Sequence, residues 1–213
     1  MTLEDAIRLR RSIRRYAADK PARELIERLL EMAVCAPSAS NKQPWRFFVV
    51  DERAAIERMA QAVEAAVERI ASHIEPRFGD AFRAYGDYFV RFREAPVVIV
   101  AVFRELVVLS NLVDAATSAA DRQTIRVMEF NSGLISTSLA LQNLMLYAHS
   151  IGLGSSCMTG PLVAAGAIRR LLAIPESWHI AACVPVGYPA EAPQPVGRKS
   201  VDSVVRWVGP EGA

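Results

Sequence analysis

Val97-Val98-Ile99-Val100-Ala101-Val102, introduced by Pro96, is an unbroken apolar run in which every residue but Ala101 is β-branched. A strand with one wet face alternates apolar and polar side chains, whereas a strand covered on both faces does not need to. The run therefore predicts a central strand. Working outward, Trp45 to Val50 is a second strand, rich in aromatic and β-branched residues, and Ile180 to Val186 is a third. A short fourth begins at Ser155 and reaches Met158, after Gly152 and Gly154 stop the helix before it.

Helices fill the intervals. The first opens at a capping box, Thr2 with Asp5 three positions on, and runs to about Leu9. The second opens near Pro21, a favoured first-turn residue, and Pro37 ends it. Its apolar positions Leu25, Ile26, Leu29, Leu30 and Ala33 recur at helical spacing. Ala54 to about Ile74 sets Ile56, Met59, Ala60, Val63, Val67 and Ile70 on one face, and Phe78 to Arg93 is helical with a weaker pattern. Residues 104–126 carry mixed signals and receive no assignment. Phe130 to Ser150 is apolar nearly all round, as suits a core or interface helix, and Leu162 to Leu172 is a short one. Helices and strands intermix without a βαβ rhythm, which gives α+β with a mixed central sheet flanked by helices. Residues 1–213 fit one domain, with 78–129 as an excursion and 188–213, including the apolar Val201 to Val208, as a C-terminal arm.

Composition narrows the class. The chain has 25 basic and 23 acidic residues in an even mixture, which argues against a nucleic-acid binder. Its 52% apolar content favours burial against another copy. No charged residue occurs from Phe130 to Ile168, but Asn131, Ser136, Ser138, Gln142, Asn143 and His149 interrupt every window of about 20 residues that could span a bilayer. Cys35, Cys157 and Cys183 are odd in number and far apart, which suits small buried thiols in a reducing, cytoplasmic setting. The N-terminus has no apolar signal region. His73, His149 and His179 form no metal-binding pattern, so no metal is expected.

Four stretches can carry chemistry. Arg10-Arg11-Ser12-Ile13-Arg14-Arg15 offers guanidinium forks and a hydroxyl for a phosphate, though a basic helix end is the blander reading. Ala36 to Trp45 packs small and amide side chains into one loop, where an ordinary turn would do the same. Gly152 to Pro161 looks like a dinucleotide fingerprint but follows a helix, not a strand, so that reading fails. Gly187-Tyr188-Pro189 is followed about ten residues on by Arg198-Lys199.

Taken together, in order and spacing, these stretches resemble the nitroreductase family of FMN proteins. The matching segments are RRSIRRY at 10–16, APSASNKQPWRFFVV at 36–50, ALQNLMLYAHSIGLGSSCMTGP at 140–161 and PVGYPAEAPQPVGRKSVDSVV at 185–205. The resemblance implies a homodimer with FMN at the subunit interface. It implies that Arg10, Ser12 and Arg14, with Arg11 between them, hold the FMN phosphate and the pyrimidine end of the ring. Pro37, Ser38, Ala39 and Asn41 match the loop that reaches the flavin bound mainly to the other subunit. Met158, Thr159 and Gly160 match the segment whose backbone lies against flavin N5, and Arg198 with Lys199 match the C-terminal phosphate anchor. The family often has Ser-Gly-Gly-Asn where this chain has Ser38-Ala39-Ser40-Asn41, and 78–129, the expected lid, matches nothing.

The implied chemistry is hydride transfer from NAD(P)H through FMN to nitroaromatics, quinones or similar small electron-poor molecules, by a ping-pong mechanism. No side chain acts as acid, base or nucleophile. A guanidinium near flavin N1, the role implied for Arg14, favours negative charge there and raises the potential. The alternatives are a specialised relative acting on one metabolite (dehalogenation, enone reduction or flavin cleavage) and a non-enzymatic flavin-binding or interaction protein.

Overall fold

The computed structural model describes residues 1–209; the last four residues of the expected arm lie outside the described residues. The predicted central strand is β2, Val97–Phe103, and every residue of it is buried. It pairs antiparallel with β1, Trp45–Val50, from Trp45 opposite Phe103 to Val50 opposite Val98. Its other neighbour is β4, His179–Gly187, also antiparallel, with Val97 opposite Val186 and Phe103 opposite His179. The two-residue β3, Gly154–Ser155, completes the order β1-β2-β4-β3. The named strands are all antiparallel; the mixed character rests on one parallel bridge, Ser12 with Ser155.

The apolar run of β2 is explained by two helical layers. Successive side chains on a strand face opposite ways. Val98, Val100 and Val102 join one cluster with Ile56, Met59 and Val63 of α3, Arg53–Ala71, and Ile168 of α6, Ala165–Leu171. Val97, Ile99 and Ala101 join the other, with Leu29 and Ala33 of α2, Arg23–Val34, and Leu141 and Leu144 of α5, Ala119–Ser150. The capping box of α1, Leu3–Leu9, forms in both directions at 3.1 Å between Thr2 and Asp5.

Three expectations need correction. The helix expected from Phe130 begins at Ala119, because Ser118 caps it by accepting from the Asp121 N–H at 3.1 Å. Polar residues in its first three turns hide its apolar pattern there. The strand expected from Ser155 to Met158 covers only Gly154–Ser155, with Met158 rejoining the sheet as a single bridge to Cys183. Phe78 to Arg93 divides into α4, Pro76–Gly86, and 3-10 turns over Asp87–Glu94 that bury Phe89 and Phe92.

The middle of 78–129, from Phe89 to Phe103, thus contributes to the core through Phe89, Phe92, Ala95 and β2, and the irregular part is 104–118. That part is tied to α5 by Glu129, a carboxylate only 2% exposed. Glu129 accepts from the Val108 N–H at 2.7 Å, from the Ser110 N–H at 3.1 Å and from the Ser110 hydroxyl. Burial pushes its pKa up, but these hydrogen bonds, with one from the Leu109 N–H, outweigh burial and hold it below the ordinary carboxylate value. No helix among the described residues is long and apolar enough to cross a membrane.

Candidate functional site

Chemistry-bearing residues lie at opposite ends of the sheet. At the β3 end, the chain leaving α1 runs beside β3, with the Ile13 N–H donating to Ser155 O at 3.1 Å. Gly154 permits this approach: a Cβ there would lie 2.7 Å from Ile13 Cγ2. Along this segment Ile13 is buried, and Arg10 and Arg11 line one cavity that Ser12 and Arg14 do not line. Arg11 turns back onto the end of α1, its Nη1 donating to Arg8 O at 2.8 Å and Arg10 O at 2.9 Å.

Arg198, from the other end of the sequence, stands within electrostatic reach of Arg10. Burial first, then the Arg198 and Arg11 charges, weaken the hold of Arg10 on its proton, although an arginine so placed stays cationic at neutral pH. His149, in the last turn of α5, faces Arg10 and Arg11 across one cavity. Burial, then Arg10 and Arg11, lower its pKa from the usual 6.5, so the ring is neutral at pH 7. A cavity of about 340 Å³ is lined by Arg10, Arg11, His149, Gly154 and Glu191. Among the described residues, Arg11 Nε and His149 Nε2 are buried without a hydrogen-bond partner. Cations beside an unpartnered guanidinium N–H, and a ring nitrogen that donates in one of its neutral tautomers, are what an anion site needs.

The other expected residues divide. The Arg14 side chain is exposed, and its backbone N–H, with that of Arg15, donates to Glu191 Oε1 at 2.6 and 3.1 Å. Lys199 is exposed and does not line this cavity. Met158 is buried, and both its N–H and its carbonyl are spent on Cys183 at 2.9 Å. Thr159 is exposed beside it, with its N–H unused among the described residues and so open to a ligand. Gly160 packs on Phe89, and an added Cβ would lie 2.3 Å from Phe89 Cδ1. Gly160→Ala should therefore cost about 1–3 kcal/mol from overpacking, read by urea denaturation. Cys157 and Cys35 are exposed and only Cys183 is buried, which corrects the expectation of three buried thiols.

The loop at 37–41 lies at the far end of the sheet. Ala39 N–H donates to Ser136 Oγ at 3.3 Å, and Pro44 O accepts from the Arg104 N–H at 3.1 Å, beyond the last residue of β2. Ser136 and His149 are both on α5, and at about 1.5 Å per residue they stand about 20 Å apart along its axis. Within one chain, then, Pro37, Ser38, Ala39 and Asn41 are not brought to Arg10 and Arg198. The loop is held in a strained shape, with φ of 50° at Ser40 and 52° at Asn41.

Two residues of the basic end escaped the sequence reading. His149 resembles any polar residue at a helix end, and Glu191 sits in a Pro-rich patch 177 positions from the backbone it binds.

The Nitroreductase family model matches residues 7–188. The chain is 31% identical to the NADH dehydrogenase of Thermus thermophilus, over 93% of this chain and 92% of that protein. It is 28% identical to the iodotyrosine deiodinase of Haliscomenobacter hydrossis, over 85% of this chain and 77% of that one. Among solved structures, a BluB-like flavoprotein from Clostridium difficile 630 superposes with a TM-score of 0.86 at 23% identity, covering 98% of this chain and all of that one. An iodotyrosine deiodinase bound to FMN and 3-iodo-L-tyrosine superposes with a TM-score of 0.73 at 23% identity, covering 98% of this chain and 100% of that one.

Proposed function

The chain belongs to the nitroreductase family, and from that premise we propose that it is an FMN-dependent oxidoreductase taking hydride from NAD(P)H to small electron-poor molecules such as nitroaromatics and quinones. The observation that carries the reading is the cavity lined by Arg10, Arg11 and His149, with Arg11 Nε and His149 Nε2 buried and unpartnered among the described residues and the Arg198 charge within reach of Arg10. A flavin phosphate fits that donor set, since a dianion would relieve the repulsion between the guanidiniums. The FMN-bound neighbour and the NADH dehydrogenase relative support the cofactor and the donor.

In this reading Arg10, Ser12 and Arg198 hold the phosphate, with Arg11 and Lys199 adding positive charge around it. Arg14 serves the pyrimidine end, where positive charge raises the reduction potential. Met158, Thr159 and Gly160 form the wall toward N5, with Thr159 offering its N–H and Gly160 holding the turn on Phe89. FMN supplies the hydride chemistry when bound, and the protein supplies binding, orientation and electrostatics.

The site is completed by a second copy. The loop at 37–41 is about 20 Å from the basic cluster of its own chain, so serving a flavin there requires a partner. Leu3 and Ile7 of α1 and Met128, Ile135 and Leu139 of α5 are exposed, an apolar face of the kind that pairing covers. Val196, Val201, Val204, Val205 and Trp207 are exposed on the segment read as the arm, as suits a strap across a partner. The remainder at 104–118, tied by Glu129, is the lid.

The test is the visible spectrum of the purified protein, with mass analysis of the flavin released by heat and light scattering for the subunit count. FMN at about one per subunit in a dimer is the expected outcome. A colourless monomer that takes up no FMN would sink the reading. A second reading, reductive dehalogenation of a halogenated phenol, is favoured by the deiodinase relative. Stopped-flow oxidation of the reduced protein by a nitroaromatic, a quinone and iodotyrosine in turn separates the two.

A further inference from the structure

The arginine-rich segment at 10–15 and the segment after β4 that leads to Arg198 lie side by side, and the like charges they carry need something to hold them together. The structure assigns that task to Glu191. Its Oε1 accepts from the N–H groups of both Arg14 and Arg15, at 2.6 and 3.1 Å. Consecutive N–H groups aimed at one oxygen form a small anion-binding concavity, and a carboxylate is the strongest side-chain acceptor that can fill it. Around it the two segments pair as a short ladder: Ala190 N–H donates to Arg15 O at 3.0 Å and Ala17 N–H to Tyr188 O at 2.9 Å. Tyr16 and Pro189 form the antiparallel bridge between them.

Glu191 thus pins the end of the arginine-rich segment, four residues past Arg10, and stands seven residues before Arg198. It also lines the same cavity as Arg10, Arg11 and His149. Its acceptor oxygen is spent on backbone N–H groups, which leaves the arginine side chains free for a ligand. A guanidinium paired with Glu191 would be a weaker phosphate donor. Glu191 is therefore a positioning residue for the phosphate site and touches no reacting group. The assignment rests on the FMN reading and concerns the phosphate half of it.

Riboflavin, which shares the ring of FMN and lacks the phosphate, provides the test. Binding of FMN and of riboflavin is measured by flavin fluorescence quenching for the parent chain, Glu191→Ala and Glu191→Gln. The expected outcome is that Glu191→Ala binds FMN about tenfold more weakly, about 1.4 kcal/mol, with riboflavin affinity unchanged. Glu191→Gln, which keeps the acceptor, should recover most of the loss. Equal losses for both flavins, or none for either, overturn the assignment, because a merely structural role would not discriminate the phosphate. A parent chain that binds neither flavin defeats the FMN reading itself, a distinct result.

Discussion

Arg10→Ala should bind FMN about a hundredfold more weakly than the parent chain, while its ligand-free form unfolds at no lower a denaturant concentration. The two halves of this expectation have one cause. Arg10 is half-buried within electrostatic reach of Arg198 and Arg11, so the ligand-free protein bears the cost of desolvating it among like charges. Removing it relieves that cost. Binding loses a charge-assisted contact in a partly dry site, of the order of 2–3 kcal/mol. Isothermal titration with FMN, beside urea melts of the ligand-free protein, reads both halves. Rising salt should narrow the difference between parent and variant, since the lost term is electrostatic. If ligand-free stability and FMN affinity fell together, Arg10 would be a structural residue and the phosphate assignment would need another anchor.

Glu129→Gln should cost about 2 kcal/mol of stability and should loosen 104–118 first. The carboxylate is surrounded by donors, and an amide in its place turns an NH₂ group toward one of them. The sign of the pH dependence follows from its lowered pKa. A carboxyl whose folded-state pKa lies below the unfolded one stabilises the protein above the unfolded value, near 4.5, and loses that contribution as pH falls through the folded value. The stability gap between parent and Glu129→Gln is thus full at pH 7 and closes as pH falls below 4.5. Urea melts across that range give the gap, and limited proteolysis shows whether cutting moves into 104–118. A gap independent of pH would mean that packing, and not charge, holds the segment.

Local pattern was a reliable guide wherever a residue's neighbours in the chain decide its conformation. Trp45 to Val50 forms a strand with those bounds, Thr2 and Asp5 cap α1 from both sides, and the apolar face of α3 packs as its spacing implies. The pattern fell short where capping and polarity compete, as at the start of α5, where the eleven residues before Phe130 show no clear period and are helix because Ser118 initiates it. The candidate site divides in the same way. Arg10 and Ser12 could be singled out because they are close in sequence, and Arg198 because it stands in a second basic cluster.

Residue types and their spacing were enough for β1, β2, α1 and α3, for the two-sided burial of β2, and for picking out the two basic segments. They reach that far because φ/ψ preference and side-chain periodicity act over a few residues. The approach of Arg198 to Arg10, the clamp of Glu191 on Arg14 and Arg15, the withdrawal of Arg11 onto α1 and the placement of 37–41 at the far end of the sheet are decided by packing. Each is an approach, or a separation, set by how the sheet and α5 stack, over distances in sequence where no local preference acts.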